Sequence, residues 1–233
     1  MNGLNFKNMQ KKIYKKGLIV FSGGQDSTTC LGWALNRYKE VECISFFYGQ
    51  KHSIELERSQ DICKKLNIKQ TIINLDFLNN LVNSALTSNG DVSKHHEDNN
   101  KLPASFVPNR NALFLTLSHA YAQKIKANNI ITGTCQTDYS GYPDCRREFI
   151  DKLENSLNIG SDVDLKIITP LMFLTKAETF ELAEKEKCLD LVLNNSHTCY
   201  NGSDLKNEWG FGCGECPACQ LRKKGYYEYK QNR

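Results

Sequence analysis

The chain has 233 residues, 40% of them apolar and 24% charged, with 15 glycines, 5 prolines and 10 cysteines. That composition excludes a disordered or collagen-like chain, and no run approaches the ~20 consecutive apolar residues of a membrane span. Against 26 acidic residues stand 30 basic ones, a net charge of +4, too balanced to mark a chain that finds nucleic acid by electrostatics.

Residues 1–16 are polar and basic without an apolar period and read as a flexible N-terminal extension. Gly17 to Phe21 reads as a short buried strand closed by Ser22-Gly23-Gly24, and a helical pattern (Cys30, Leu31, Ala34, Leu35) follows directly. The run Leu18 to Phe21 is too short for the core of a signal peptide, so a cytoplasmic protein is expected. A second strand is expected over Val41 to Phe47, a second helix over Ile54 to Leu66 and a third strand over Thr71 to Leu75. From Asn79 to Asn100 the chain is rich in Asn, Ser, Asp and His; a polar stretch of that length inside a domain is usually a functional lid or an insertion. Beyond it the pattern predicts a helix over Arg110 to Ile125, a strand over Asn129 to Cys135 and a helix over Glu148 to Leu157. A strand over Leu165 to Thr169 and a helix over Ala177 to Lys185 follow, and after Leu193 the periodicity stops. The alternation predicts an α/β fold, a parallel twisted sheet flanked by helices.

The segment Phe21-Ser22-Gly23-Gly24-Gln25-Asp26-Ser27-Thr28-Thr29 joins the first strand to the first helix. Two glycines there allow a tight turn and a close approach of a ligand to the backbone. The helix N-terminus presents unpaired N–H groups and about half a positive charge, to which Ser22, Ser27 and Thr28 add hydroxyls. An anionic phosphate suits that environment. The Walker pattern and the dinucleotide fingerprint are both missing, which argues against a GTPase-like enzyme and a dehydrogenase. Asp26 places a carboxylate beside the expected phosphates, which is repulsive unless a cation lies between them.

Ten cysteines without a secretory signal call for something other than a disulfide framework. Six stand singly (Cys30, Cys43, Cys63, Cys135, Cys145 and Cys188), and four, Cys199, Cys213, Cys216 and Cys219, fall within 21 residues. The short spacings let consecutive sulfurs converge on one ion, and the longer loop returns Cys199 as the fourth corner. Gly212, Gly214 and Pro217 favour the tight turns of such a knuckle. Thiolate-only ligation predicts one structural Zn²⁺ per chain with no position open to water, an iron–sulfur cluster being the lesser alternative.

Thr175-Lys176-Ala177-Glu178 has the spacing of a capping box, yet Lys176 puts a cation in the first turn, where the helix dipole disfavours it. A ligand phosphate would offset that. Arg110, after Phe106-Val107-Pro108-Asn109, stands at a helix start for which the same argument holds, and is a candidate clamp for a phosphate or carboxylate. The loop from Asp138 to Arg146 lies beyond the carboxyl end of a strand, where open α/β sheets bind ligands. It offers Tyr139 and Tyr142 to stack a planar heterocycle, Asp138 and Asp144 to accept from ring N–H and amino groups, and Arg146 for a carboxylate. Tyr48-Gly49-Gln50-Lys51-His52 occupies the equivalent place after the second strand, with His52 a candidate proton shuttle. Taken singly, each of these is equally a cap, a surface charge or a turn.

Ser22-Gly23-Gly24-Gln25-Asp26-Ser27 resembles the pyrophosphate loop of the ATP pyrophosphatase (PP-loop) superfamily. Six segments together resemble one branch of it, the 7-cyano-7-deazaguanine synthase family: 21–31, 48–52, 106–111, 138–146, 169–176 and 209–219. The likeness runs from Gly17 to about Gly225, with two departures. Asn109 stands where the family usually has glycine, although Asn tolerates left-handed backbone angles, and Phe211 lengthens the tail motif while sparing the cysteines. The resemblance implies a PP-loop (adenine nucleotide alpha hydrolase-like) domain over 17–193 and a zinc-binding segment over 194–233. It implies ATP with Mg²⁺, and conversion of 7-carboxy-7-deazaguanine and ammonia into a nitrile for queuosine biosynthesis. It further implies that Phe21, Ser22, Gly23, Gly24, Gln25, Asp26, Ser27, Thr28, Thr29, Cys30 and Leu31 form the ATP site. Asp26, Ser22, Lys176 and Arg110 would be catalytic, and Tyr48, His52, Asp138, Tyr142, Asp144 and Arg146 would bind the base. For partners it implies a homodimer that handles small molecules, with no direct nucleic-acid or membrane contact. Two other readings stay open in the sequence: a PP-loop enzyme acting on tRNA, such as a thiolase using Cys135 or Cys145, and a non-enzymatic zinc-knuckle binding module.

Overall fold

The computed structural model describes residues 12–48, 54–80, 95–96, 99–103, 106–137 and 142–233. The chain begins with β1 (Tyr14–Val20), α1 (Gln25–Leu35), β2 (Tyr38–Phe47), α2 (Ile54–Lys65) and β3 (Lys69–Asn74). Described parts of the polar stretch form a 3-10 turn at Asp76–Asn80 and an antiparallel ladder of β4 (His95–His96) with β5 (Asn99–Pro103). Then come α3 (Arg110–Lys124), β6 (Asn129–Ile131), α4 (Arg147–Ser161), β7 (Lys166–Ile168), α5 (Lys176–Lys185) and α6 (Leu189–Asn195). The C-terminal segment holds a small ladder of β8 (Lys206–Asn207) with β9 (Gly210–Phe211), and ends in α7 (Pro217–Gln231). Among the described residues no helix is long and apolar enough to cross a membrane.

Five strands form one parallel sheet in the order β3-β2-β1-β6-β7. From β1 the chain steps outward to β2 and β3, then crosses back to β6 on the other side. The crevice beyond the carboxyl ends of β1 and β6 is therefore a topological switch point, where such sheets bind ligands. Helices cover both faces, so the inner stretches 18–20, 130–131 and 167–168 read as apolar runs whose successive residues enter opposite cores. Ile19, Cys43 and Ile131 pack with Leu31 of α1 and with Ile62 and Cys63 of α2. Leu18, Ile44 and Ile130 pack on the other face with Leu115 and Ala122 of α3 and Ile150 of α4. Reducing such a side chain to alanine costs about 2–5 kcal/mol, so the footing of the loop after β1 is firm.

β2 and β3 start earlier than expected, at Tyr38 and Lys69, and α4 ends later, at Ser161; three further differences have physical reasons. β1 starts at Tyr14, inside the expected extension, because Tyr14 stacks on Tyr38 at 5.0 Å and Lys16 pairs with Glu42; a ring and an ion pair leave no apolar period. Residues 1–11 lie outside the described residues. β6 ends at Ile131, well before Cys135, and the chain then passes under the first loop: a Cβ on Gly133 would sit 3.1 Å from the Asp26 carbonyl carbon and from its Cβ. The periodicity predicts no helix after Leu193, yet α6 continues to Asn195 and α7 runs for 15 residues. Beyond Cys219, the inward face of α7 is Arg222, Gly225 and Tyr229, residues that carry little hydropathy signal. Phe180 of α5 meets the rings of Tyr226 and Tyr229 at 5.5 and 5.9 Å, so the C-terminal segment shares a core with α5 and α6.

Candidate active site and metal centre

Phe21 anchors the first loop, its N–H donating to the Ile44 carbonyl at 2.8 Å. The chain turns at Gly23, where φ is +90° and an added Cβ would lie 2.5 Å from the Glu55 carbonyl oxygen. Only glycine fits there. The Ser22 and Ser27 hydroxyls lie 3.2 Å apart and accept from the N–H groups of Gly24 and Gly23 respectively. The N–H of Thr28 closes on the Gly24 carbonyl at 3.0 Å, which starts α1 directly behind the glycine pair. The N-cap residue of α1, Gly24, has no side chain to cap it, so the helix dipole opens toward the crevice. Of the residues expected at the ATP site, Ser22 is exposed and Asp26 half-buried. Phe21, Gln25, Thr28, Thr29, Cys30 and Leu31 are buried; their side chains shape the loop.

Across the crevice, Lys176 in the first turn of α5 donates to both carboxylate oxygens of Asp26, each at 2.9 Å. That pair resolves the electrostatic oddity of a cation at a helix N-terminus. The expected capping box is present: the Thr175 N–H donates to Glu178 Oε2 at 2.7 Å, and the Glu178 N–H to Thr175 Oγ1 at 3.3 Å. Behind Lys176 lies Gly225 of α7, where a Cβ would come 2.5 Å from Lys176 Cβ.

The second half of the site follows β2 and β6. Asn109 has φ 59° and ψ 14°, the left-handed turn that Asn tolerates, and it releases Arg110 as the first residue of α3. Arg110 Nη1 donates to the Tyr48 hydroxyl at 3.2 Å, with the guanidinium 5.7 Å from the ring centre. Tyr142 stacks on Phe106 at 5.9 Å and hydrogen-bonds to Tyr200 of the C-terminal segment. Asp144 is buried and accepts from the Asn111 N–H at 3.2 Å, so it also serves the open end of α3. Burial raises its carboxyl, while the Asn111 N–H and Arg110 pull the other way. Arg146 is exposed where α4 begins; the adjacent Arg147 donates to Thr169 Oγ1 at 2.8 Å. His52 and Asp138 lie outside the described residues.

Several residues at the crevice escaped the sequence reading. Glu55, in the first turn of α2, overhangs the loop: its Oε1 would meet a Cβ on Gly24 at 2.8 Å. Burial pushes its carboxyl up to about 7, against the hydrogen bond from Ser22 and the charge of Arg110. His197 donates its N–H to the Gly23 carbonyl at 3.0 Å, and Thr198 Oγ1 accepts the Gln25 N–H at 3.2 Å. His197, Thr198 and Tyr200 adjoin Cys199, which was the available clue. A glutamate in the first turn of a helix is ordinary and gives none.

The sulfurs of Cys199, Cys213, Cys216 and Cys219 lie within 4.8 Å of one another, and those of Cys213 and Cys219 are 3.9 Å apart. Four metal–sulfur bonds of about 2.3 Å in a tetrahedron space the sulfurs about 3.8 Å apart, so the cluster has the size for one ion. The N–H groups of Glu215 and Cys216 point at Cys213 Sγ from 3.4 and 3.3 Å, bonds that favour a thiolate. Gly214 has φ +80° and Pro217 opens α7, the turns such a knuckle needs. Phe211 is absorbed by β9, with Arg58 and Lys206 over its ring at 4.7 and 4.5 Å. Buried Arg222 ties the segment together and to α6, donating to the Trp209 carbonyl at 2.8 Å, to the Val192 carbonyl at 2.9 Å and to Thr198 Oγ1 at 3.1 Å. All ten cysteines are free of disulfides.

Residues 16–230 match the family model described as queuosine biosynthesis protein QueC. A 7-cyano-7-deazaguanine synthase of Wolinella succinogenes is 57% identical over 91% of this chain and 93% of its own length. One from Helicobacter pylori is 51% identical over 97% of this chain and 100% of its own. A solved 4-thiouridine synthetase in complex with RNA and ATP aligns with a TM-score of 0.49 at 17% identity, over 93% of this chain and 51% of that one, too distant to bear on function. With the family model and the curated relatives matching from the first strand to the last helix, the chain belongs to the QueC family of queuosine biosynthesis proteins.

Proposed function

We propose that the protein uses ATP to join ammonia to 7-carboxy-7-deazaguanine and carries the amide on to the nitrile, 7-cyano-7-deazaguanine. The observation that carries this reading is the meeting of two half-sites at one sheet end. One is an anion loop with its Asp26–Lys176 pair; the other is an aromatic pocket bearing Arg110. Relatives 57% and 51% identical over nearly their full length bear the name of this activity. The chemistry requires both halves. A carboxylate resists ammonia because oxide is a poor leaving group, and adenylation replaces that oxide by AMP. The amide oxygen needs the same activation before it departs, so each nitrile consumes two ATP.

The loop from Ser22 to Ser27 would hold the pyrophosphate through N–H groups and hydroxyls, an electrostatic contribution to the transition state. Lys176 would exchange Asp26 for a phosphate, leaving Asp26 to hold Mg²⁺. That ion supplies neutralisation of the charge on the phosphate oxygens. Arg110 would hold the substrate carboxylate, while Tyr48, Tyr142 and Tyr200 flank the planar base and Asp144 accepts from its amino group. The four thiolates would hold one Zn²⁺; with every corner taken by protein, its role is structural. A tRNA thiolase finds no support in the cysteines it would use. Cys135 is buried with Sγ 3.2 Å from the Leu174 carbonyl oxygen, and burial pushes the Cys145 thiol up to about 12, the opposite of a poised nucleophile.

Incubation with ATP, Mg²⁺, ammonium and the acid should give first the amide and then the nitrile by mass spectrometry, with two AMP per nitrile. Asp26→Ala should abolish AMP release and leave the metal content per chain unchanged. A wild-type protein that consumes no ATP with this acid overturns the reading.

A further inference from the structure

Within the proposed function, we infer that Glu55 is the base that removes protons from nitrogen, first from the ammonia adduct and then from the amide as it becomes a nitrile. The carboxylates around the crevice are differently engaged. Asp26 is gripped by Lys176 through both oxygens at 2.9 Å, and Asp144 accepts from the first turn of α3. Glu55 takes a hydroxyl partner, Ser22, and stands over Gly24, beside the loop where adenylation occurs. The charged and titratable groups facing it come from four elements: Asp26 of α1, Arg110 of α3, Tyr48 beyond β2 and Tyr200 of the C-terminal segment. Burial raises its carboxyl to about 7, with Arg110 opposing and Asp26 assisting. A base of that strength is partly ionised at neutral pH and readily gives its proton back to water.

The protons balance. Nitrogen's lone pair forms the C–N bond of the amide, the C–O bond to AMP breaks with its electron pair, and one N–H proton passes to Glu55. In the second half the amide oxygen attacks the α-phosphorus and pyrophosphate leaves, while one N–H proton passes to Glu55 as the C=N bond forms. Loss of the last N–H proton completes the triple bond as AMP departs. Glu55 returns each proton to solvent between steps.

E55Q keeps the size and a hydrogen-bonding oxygen of the side chain but accepts no proton. Acid-dependent exchange of labelled pyrophosphate into ATP reads the first adenylation, which breaks no N–H bond. Amide and nitrile formation read the steps that do. In E55Q amide formation should fall about 10²–10⁴-fold, exchange by less than about tenfold, and the acidic limb of kcat/KM should disappear. Hydroxylamine, which loses its proton more readily than ammonia, should partly restore acyl transfer as the hydroxamate. Amide formation that is undiminished, or exchange lost to the same degree, overturns the role of Glu55. If E55Q does not fold, E55D should slow amide formation at least about tenfold more than exchange, and equal losses again overturn it. Wild-type protein that shows no exchange with this acid overturns the substrate assignment, and the present inference with it.

Discussion

The glycine loop and the four-thiol segment touch, through His197 to Gly23 and Gln25 to Thr198, and they are built by opposite means. The loop rests on a sheet whose strands bury Leu18, Ile19 and Phe21 completely or nearly so, and it offers mainly backbone. Residues 197–216 have two-residue strands and an apolar cluster of little more than the cysteines and Trp209, yet they supply His197, Thr198 and Tyr200 to the site. Burial by the sheet, about 25 cal/mol per Å² of apolar surface, fixes the strand that carries the first region, to which the second adds the bonds from His197 to Gly23 and from Gln25 to Thr198. The second region has too little apolar surface to order itself in the same way. One part thus takes its order from the sheet, and the other would take it from an ion held by its four thiols.

The sharpest way to break this contrast is Cys216→Ser. A structural zinc site supplies on the order of 10 kcal/mol of apparent folding free energy, so the variant should lose its metal and its turnover. Amide hydrogen exchange should quicken throughout 197–231, while the amides of β1, β2 and β6 stay protected. Equal loss of protection in β1 would mean that the two regions fold as one unit.

A smaller effect is expected from Gly225→Ala, which touches neither thiol nor loop. Its Cβ would press on Lys176 Cβ at 2.5 Å, an overpacking of about 1–3 kcal/mol. Displacing Lys176 should lower kcat about tenfold or more with the metal retained, read by steady-state kinetics beside metal analysis. Wild-type kcat in that variant would separate α7 from the lysine.

The smallest effect belongs to the sheet. Burial alone would raise the Glu42 carboxyl, but Lys16 at 2.5 Å and Lys69 at 3.1 Å hold it below the ordinary carboxylate range. The stability from this pairing is therefore present above the unfolded-state value of about 4.3 and is lost as pH falls through the lower folded value. Glu42→Gln should cost about 1 kcal/mol at pH 7 and progressively less as pH falls through the lowered folded value in urea unfolding, with activity intact. A pH-independent difference would place the effect in packing instead.

What the sequence discloses follows from how local each determinant is. The capping box at Thr175, the left-handed turn at Asn109, the Gly23-Gly24 loop and the four-thiol spacing are set within a few residues, and each is found where it was expected. Tyr14, Glu55, Tyr200 and Gly225 acquire meaning only from partners far along the chain: Tyr38, Ser22, Tyr142 and Lys176. No window of sequence contains both members of such pairs. The last helix is hidden for a related reason, since its buried face is a cysteine, an arginine, a glycine and a tyrosine rather than aliphatic residues.

The seat of α7 under α5 decides how short a working version of this protein can be made. A chain cut just after Cys219 would keep every thiol and the whole loop, and would look complete by motif. It would also remove the floor beneath Lys176, so the lysine's ammonium would swing free of Asp26. A working chain is therefore expected to extend through Tyr229, whose ring closes the packing against Phe180.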